Sequence, residues 1–328
     1  MHKAFDNIVG QNRLRNMLSL SAEAGANGRE MLSGLVRGVA GLGKTALSMA
    51  YMNAILEGIP DAKPLCYEPR DLRLAGEAYN DVINAITSPD PYILFLDEVH
   101  ELATDNTKQC KTIFNFIRKA LDGNRKDTQI HVADEQFAVF DRRKQVIIIA
   151  TNYPHLLDKS GALQSRMTNI SLDLYTEAEL RKITLLMAGK NNITFNVTEN
   201  ENPVDRIARC GRGTARYLER IMEQLQLVND GEPITEKQVL SALRNIKIYP
   251  RGLDDKEVLL LKVAAKNPIN RQQFTAMSQM ESEELKKSLA YLTHPDVRFI
   301  TQLPSGFLET TKRGVAYMKK CEEMGFVI

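Results

Sequence analysis

The chain is short of cysteine. Cys66, Cys110, Cys210 and Cys321 are scattered through 328 residues, and none stands in a Cys-x-x-Cys pair. That spacing speaks against a zinc site; dispersed thiols in a reducing compartment are the expectation. Long apolar runs are missing too: no stretch approaches the roughly 18 residues of a membrane-spanning helix. The opening Met1-His2-Lys3-Ala4-Phe5-Asp6 lacks the apolar segment of a signal peptide, so a cytoplasmic protein without membrane contact is expected. Excess charge of one sign is scarce, with a net value of only +2. This argues against a protein that coats nucleic acid by bulk charge, and any such contact must be a local patch. There is no internal repeat and no low-complexity tract.

What is present divides the chain. A single core rarely grows beyond roughly 250–300 residues, so two or three domains are expected. Residues 11–27 read as a helix, Leu35-Val36 as a short apolar run, and 45–56 as a helix closed by Gly58 and Pro60. Tyr92-Ile93-Leu94-Phe95-Leu96 and Val146-Ile147-Ile148-Ile149-Ala150 are continuous apolar runs, as expected of strands buried on both faces. Between them, 128–140 reads as a hairpin or extended loop. Strands of this type alternating with helices predict an α/β fold with a parallel sheet. After Tyr175 the pattern becomes helical over 176–246, with capping boxes at Thr176-Glu177-Ala178-Glu179 and Thr235-Glu236-Lys237-Gln238. Pro250-Arg251-Gly252 reads as a linker. Helical stretches at 254–265, 270–278 and 281–292 follow, then a β-hairpin from 297–301 and 307–310 around Pro304-Ser305-Gly306. Helix, helix, helix, hairpin is the order of a winged helix. The expected domains are therefore 1–174, 175–248 and 249–328.

Three local patterns carry chemistry. Gly38-Val39-Ala40-Gly41-Leu42-Gly43-Lys44-Thr45 fits G-x-x-x-x-G-K-T without a mismatch. Its glycines let backbone amides curve around phosphate oxygens, and the following helix offers free N–H groups and a positive dipole end. Lys44 is a point charge for β- and γ-phosphates, and Thr45 a hydroxyl for Mg²⁺. With Ala46 following in the helix, this is a candidate site for a nucleoside triphosphate. Asp97-Glu98 directly follows an apolar strand, where open α/β sheets bind ligands. Asp97 is the second candidate Mg²⁺ residue, and Glu98 the candidate to polarise an attacking water. Asn152 ends the next apolar run and is placed to orient that water.

By these motifs the chain resembles the AAA+ superfamily and, within it, the RuvB family of branch-migration motors, over nearly its whole length. Phe5-Asp6-Asn7-Ile8-Val9-Gly10-Gln11 resembles the family's opening box, which implies that Ile8 and Val9 receive the adenine. Gly41-Leu42-Gly43-Lys44-Thr45 and Asp97-Glu98-Val99-His100-Glu101-Leu102 resemble its two Walker motifs, and Asn152 falls at its first sensor, usually Thr in that family. Ala162-Leu163-Gln164-Ser165-Arg166 resembles the arginine-finger segment, so Arg166 is implied to reach the ATP of a neighbouring subunit. Tyr175 sits where the family places a tyrosine beside the nucleotide. Gly211-Arg212-Gly213-Thr214-Ala215-Arg216 resembles the second-sensor helix, with Arg216 on the phosphates. The resemblance implies a P-loop ATPase domain, a helical lid and a carboxyl-terminal winged helix that touches DNA, with Lys312 and Arg313 as candidate contacts.

Two departures bear on function. Residues 128–140 correspond to the RuvA-contacting hairpin of the family, but the sequence differs and carries Asp134 and Glu135. The wing tip reads Leu303-Pro304-Ser305-Gly306-Phe307, where the family is Arg-rich. The leading expectation is an ATP-dependent motor on branched or duplex DNA, built as a hexameric ring and using ATP and Mg²⁺, with a RuvA-like or other DNA-targeting partner at 128–140. The alternative is an ATP-controlled loader or scaffold for replication or recombination that uses the same pocket as a switch. A clamp-loader subunit fits less well, because the chain ends in a winged helix instead of a helical collar.

Overall fold

The computed structural model describes residues 1–121, 130–133, 136–138, 140–157, 168–199 and 201–328. The chain forms two compact units, Met1–Tyr175 and Thr176–Ile328.

The first unit is built on five strands: β1 (Gly34–Arg37), β2 (Lys63–Tyr67), β3 (Tyr92–Leu96), β6 (Gln145–Thr151) and β7 (Thr168–Ser171). Their order is β2-β3-β6-β1-β7, and every pairing is parallel. Helices α1 (Asn12–Ala26), α2 (Lys44–Gly58), α3 (Glu77–Thr87), α4 (His100–Thr104) and α5 (Lys108–Ala120) connect and cover them. The two apolar runs explain why the sheet is sandwiched. All five residues of β3 and all seven of β6 are buried, and successive side chains point to opposite faces. Ile93, Phe95, Val146, Ile148 and Ala150 join α1 and α2 in one core cluster. Leu94, Leu96, Ile147 and Ile149 join α3 and α5 in the other.

Strands β2 and β7 were not anticipated from the sequence. β2 carries Pro64, which an edge strand tolerates because one side of its ladder is free. β7 reads Thr-Asn-Ile-Ser, with only Ile170 fully buried, so it has no apolar run to announce it. The expected hairpin at 128–140 is present as β4 (Ile130–Ala133) paired antiparallel to β5 (Gln136–Ala138).

The second unit begins with helices α6 (Glu177–Lys190), α7 (Pro203–Cys210), α8 (Arg216–Leu227) and α9 (Glu236–Asn245). Both expected capping boxes form. The Thr176 hydroxyl accepts from the Glu179 amide, and the Glu179 carboxylate accepts from the Thr176 amide at 2.8 Å. Thr235 and Gln238 repeat the arrangement. Helices α10 (Asp255–Lys266), α11 (Arg271–Ser278) and α12 (Ser282–Leu292) then precede the hairpin β8 (Ile300–Gln302) and β9 (Leu308–Thr310) and the final α13 (Lys312–Glu323). Ile269 forms an isolated antiparallel bridge to Leu308 beside the hairpin.

The turn at Pro250–Gly252 is fixed from several sides. Gly252 has φ +75°, and a Cβ there would lie 2.2 Å from the Cys210 carbonyl oxygen, so only glycine fits. The Tyr317 hydroxyl donates to the Pro250 carbonyl at 2.5 Å, and the Tyr291 hydroxyl to the Arg251 carbonyl at 3.1 Å. Arg212 donates to the Gly252 carbonyl at 3.2 Å and to the Glu257 carboxylate at 2.7 Å, with its guanidinium 3.8 Å above the Tyr291 ring. Glu257 is 1% exposed. Burial pushes its carboxyl above the usual range, and the Arg212 charge opposes that shift. Removing one member of such a pair strands the other charge in a dry site, at a cost of about 3–5 kcal/mol. Glu257→Gln is therefore expected to destabilise the second unit by about that amount, measured as a shift of the urea midpoint with an unchanged slope. An unshifted midpoint would show that the pair is solvated in solution.

Candidate functional site

Parallel pairing brings the three chemistry-bearing segments to one edge. Arg37 pairs with Thr151, and Leu96 with Ile149. The next residues, Gly38, Asp97 and Asn152, therefore emerge together at the carboxyl ends of β1, β3 and β6, the edge at which open α/β sheets hold ligands.

The glycine loop is held in a curved form by Gly41 and Gly43, with φ of +83° and +79°. Gly43 is also the N-cap of α2, and no side chain caps that helix end. The first-turn amides from Lys44 onward are thus left for an anion, with the helix dipole in support. A Cβ at Gly38 would sit 3.0 Å from Leu42, and one at Gly43 would sit 3.0 Å from the Tyr175 hydroxyl. That hydroxyl donates to the Leu42 carbonyl at 2.7 Å. Ile8 and Tyr175 pack against the cluster containing Leu42 and Leu47. Val9 follows in the same segment and is partly exposed.

Lys44 is 7% exposed. Its ammonium donates to the Gly38 carbonyl at 3.1 Å, the Val39 carbonyl at 3.4 Å and Asn152 Oδ1 at 2.5 Å. Burial lowers its pKa, while the Glu98 and Asp97 charges pull it back up. Asn152 Nδ2 in turn donates to Glu98 Oε1 at 2.5 Å. Only this orientation of the amide serves both neighbours, because an ammonium needs an acceptor and a carboxylate a donor. Thr45 Oγ1 donates to Asp97 Oδ2 at 2.6 Å, and the other Asp97 oxygen accepts from the Glu98 amide at 2.9 Å. Thr45 and Asp97 thus present adjacent hard oxygens, which suits Mg²⁺. Glu98 has φ +46°, a left-handed conformation that a side-chain-bearing residue adopts at a cost of about 1–3 kcal/mol and that clusters at functional sites.

Three further residues shape this site without having been assigned a role from the sequence. His100 Nδ1 lies 3.1 Å from Thr151 Oγ1 and 3.3 Å from Glu98 Oε2, so it flanks the side of Glu98 opposite Asn152. Its neighbourhood depends on the β3–β6 pairing, which is invisible in a linear reading. Gln11 exchanges two hydrogen bonds with the backbone of Asp173, at 2.7 and 3.1 Å, and ties the opening box to the segment that carries Tyr175. Arg37 turns aside from the site and donates to Ser171 at 2.6 Å on β7.

Arg216 is exposed at the start of α8 in the second unit, as are Lys312 and Arg313 at the start of α13. Arg166 lies outside the described residues, as do Asp134 and Glu135. Among the described residues, no group of acidic, histidine and cysteine side chains forms a metal cluster, and no helix is long and apolar enough to cross a membrane.

Comparison with known proteins agrees with this geometry. Residues 35–172 match the ATPase family associated with various cellular activities (AAA). The chain is 26% identical to the Holliday junction branch migration complex subunit RuvB of Campylobacter jejuni (strain 81-176), over 94% of this chain and 86% of that protein. It is 25% identical to the RuvB subunit of Thermotoga petrophila, over 95% and 87%. The Thermotoga maritima RuvB Holliday junction branch migration motor has the same fold, with a TM-score of 0.63, 22% identity, and coverage of 100% of this chain and 98% of the other. Residues 35–172 are thus similar to the AAA ATPase family, and over nearly its whole length the chain is similar to RuvB subunits.

Proposed function

We propose that the protein is an ATP-dependent DNA motor of RuvB type. The observation that carries the reading is the connected set Lys44–Asn152–Glu98 beside Thr45–Asp97 at the carboxyl edge of the sheet. A phosphate group entering the glycine loop meets the amides of Gly41, Gly43, Lys44 and Thr45, with Ala46 in the same helical turn. Lys44 then exchanges its carbonyl and Asn152 partners for β- and γ-phosphate oxygens. Thr45 and Asp97 would hold Mg²⁺, which would supply positive charge against the charge that develops on the phosphates. Release of Asn152 from Lys44 leaves the amide and Glu98 side by side to orient and polarise a water. Ile8, Val9 and Tyr175 border the base. The likeness to RuvB supports Arg166 completing the site of a neighbouring subunit, Arg216 reaching the phosphates from a lid of residues 175–248, and a hexameric ring. The winged-helix part, 249–328, then carries the motion to DNA, with Lys312 and Arg313 as contacts, and a RuvA-like or other targeting protein meets residues 128–140.

One observation favours a second reading, an ATP-controlled loader or scaffold. The wing tip Leu303-Pro304-Ser305-Gly306-Phe307 carries no charge to neutralise phosphates, and it closes tightly, with the Leu303 amide donating to the Phe307 carbonyl at 2.8 Å.

A branch-migration assay on a four-way junction separates the readings. The motor predicts ATP-driven strand movement, and ATP turnover without movement and without DNA stimulation at low salt defeats it. Glu98→Gln is expected to keep nucleotide affinity within a few-fold and to lower turnover by about 10²–10⁴, the range for loss of a positioned acid–base group; unchanged turnover would remove Glu98 from that role. Mixed oligomers of Arg166→Ala and Lys44→Ala subunits test the shared site. Partial return of ATPase activity at intermediate ratios is expected, because some interfaces then pair an intact loop with an intact finger, and no return at any ratio would place Arg166 outside its neighbour's pocket.

A further inference from the structure

Helix α5 reads Lys-Gln-Cys-Lys-Thr-Ile-Phe-Asn-Phe-Ile-Arg-Lys-Ala and contains no acidic residue. Its apolar side is spoken for. Cys110, Ile113, Phe116, Ile117 and Ala120 are buried in the core beneath β3 and β6. The opposite side is a row of cations and short polar groups. Lys108, Lys111, Thr112, Asn115, Arg118 and Lys119 line a shallow groove of about 520 Å³. Its apolar contributor, Val132, is itself only 8% exposed.

Among the described residues, none of these four cations has a carboxylate in ion-pair range. The nearby Asp105 is committed elsewhere, at 2.9 Å from Arg73 and 2.8 Å from the Thr107 amide. The segment just beyond Ala120 adds Arg125 and Lys126 against Asp122 and Asp127, so it leaves the charge balance of the row unchanged. The whole chain carries a net charge of +2. These four residues alone supply more than that, concentrated on one helix face.

Helix physics accounts for half of the row only. Arg118 and Lys119 sit in the last turn, where cations complement the negative end of the dipole. Lys108 and Lys111 sit at the other end, against the dipole and three residues apart, an arrangement that weakens a helix by a few tenths of a kcal/mol. A solvated helix face mixes charges of both signs; this one does not.

We infer that the exposed face of α5 is a docking surface for the phosphodiester backbone of DNA, an inference that rests on the motor reading above. The face is long enough: Lys108 and Arg118 are ten residues apart, about 15 Å along the axis. Thr112 and Asn115 lie between the cations as hydrogen-bond donors, the mixture with which proteins hold phosphate oxygens without reading sequence. A docked protein would instead want apolar anchors at the centre of its footprint, and this face offers none. The surface also places the grip on the ATPase unit itself, where the uncharged wing tip leaves a need for one.

The test is DNA binding by the full chain as a function of salt, using a labelled duplex and a four-way junction. The variant carries Lys108→Gln, Lys111→Gln, Arg118→Gln and Lys119→Gln; the double variant Lys108→Gln/Lys111→Gln serves if the quadruple one fails to fold. DNA-independent ATP turnover reports that the site beneath is intact. The slope of log affinity against log salt is expected to fall by about 3–4 for the quadruple variant and about 2 for the double, near 0.9 for each phosphate that is no longer neutralised. Affinity at low salt falls at least tenfold. A wild-type slope and affinity in the variants, with weakening confined to Lys312→Gln/Arg313→Gln, overturns this surface and leaves the motor standing. Failure of the wild-type chain to bind either DNA at low salt overturns both. Competition by polyglutamate as effective as by DNA assigns the face to an acidic protein segment and overturns the inference.

Discussion

Lys44 is a cation with only 7% of its surface exposed, and the geometry around it favours keeping it charged. Burial lowers its pKa and so weakens the hold of the ammonium on its proton. Two carbonyl oxygens of its own loop, the Asn152 amide oxygen and the field of Asp97 and Glu98 oppose that loss. Each partner must reach it from a different strand end, which requires β1, β3 and β6 to be adjacent, parallel and in the observed register. A slip of one residue in either pairing would turn the buried strand residues to the wrong face. The apolar packing of Ile93, Phe95, Ile147 and Ile149 therefore fixes the polar site as much as the polar groups do.

The parts of this architecture that were legible in the sequence are those written in local patterns. The strand Tyr92–Leu96 is readable because burial on both faces demands an unbroken apolar run. The helix starts at Thr176 and Thr235 are readable because a capping box is a four-residue device. The glycine loop is readable because positive φ at Gly41 and Gly43 leaves few other residues to choose from. Strands β2 and β7 were hidden because a sheet edge needs only one good face. The proximity of His100 to Glu98 and Thr151 was hidden because it depends on which strands become neighbours. The Arg212–Glu257 pair, 45 residues apart, was hidden for the same reason.

Charge in this chain is arranged by location instead of amount. The second unit confines one cation, Arg212, between a buried carboxylate and an aromatic ring, where it holds a turn and is mostly shielded from solvent. Arg37, which sits beside the phosphate loop in sequence, is likewise occupied by Ser171. Among the cations of α5, Lys108 and Lys111 have no such structural task. A near-neutral total is compatible with a strong local field whenever the remaining charges are paired off elsewhere, and ion pairs such as Arg181–Asp205, Arg209–Glu177 and Lys256–Glu284 do this across the second unit.

The same helix connects the two themes. On its inner side, Ile113, Phe116 and Ile117 pack beneath β3 and β6, the strands that deliver Asp97, Glu98 and Asn152. On its outer side lies the cationic row. A close-packed interior transmits displacement because it has few voids in which to absorb it. A small shift of β3 or β6 at this edge therefore has a direct mechanical route to the outer face of α5, one helix thickness away. The strands that deliver the polar site and the cationic row thus lie on opposite sides of a single amphipathic helix.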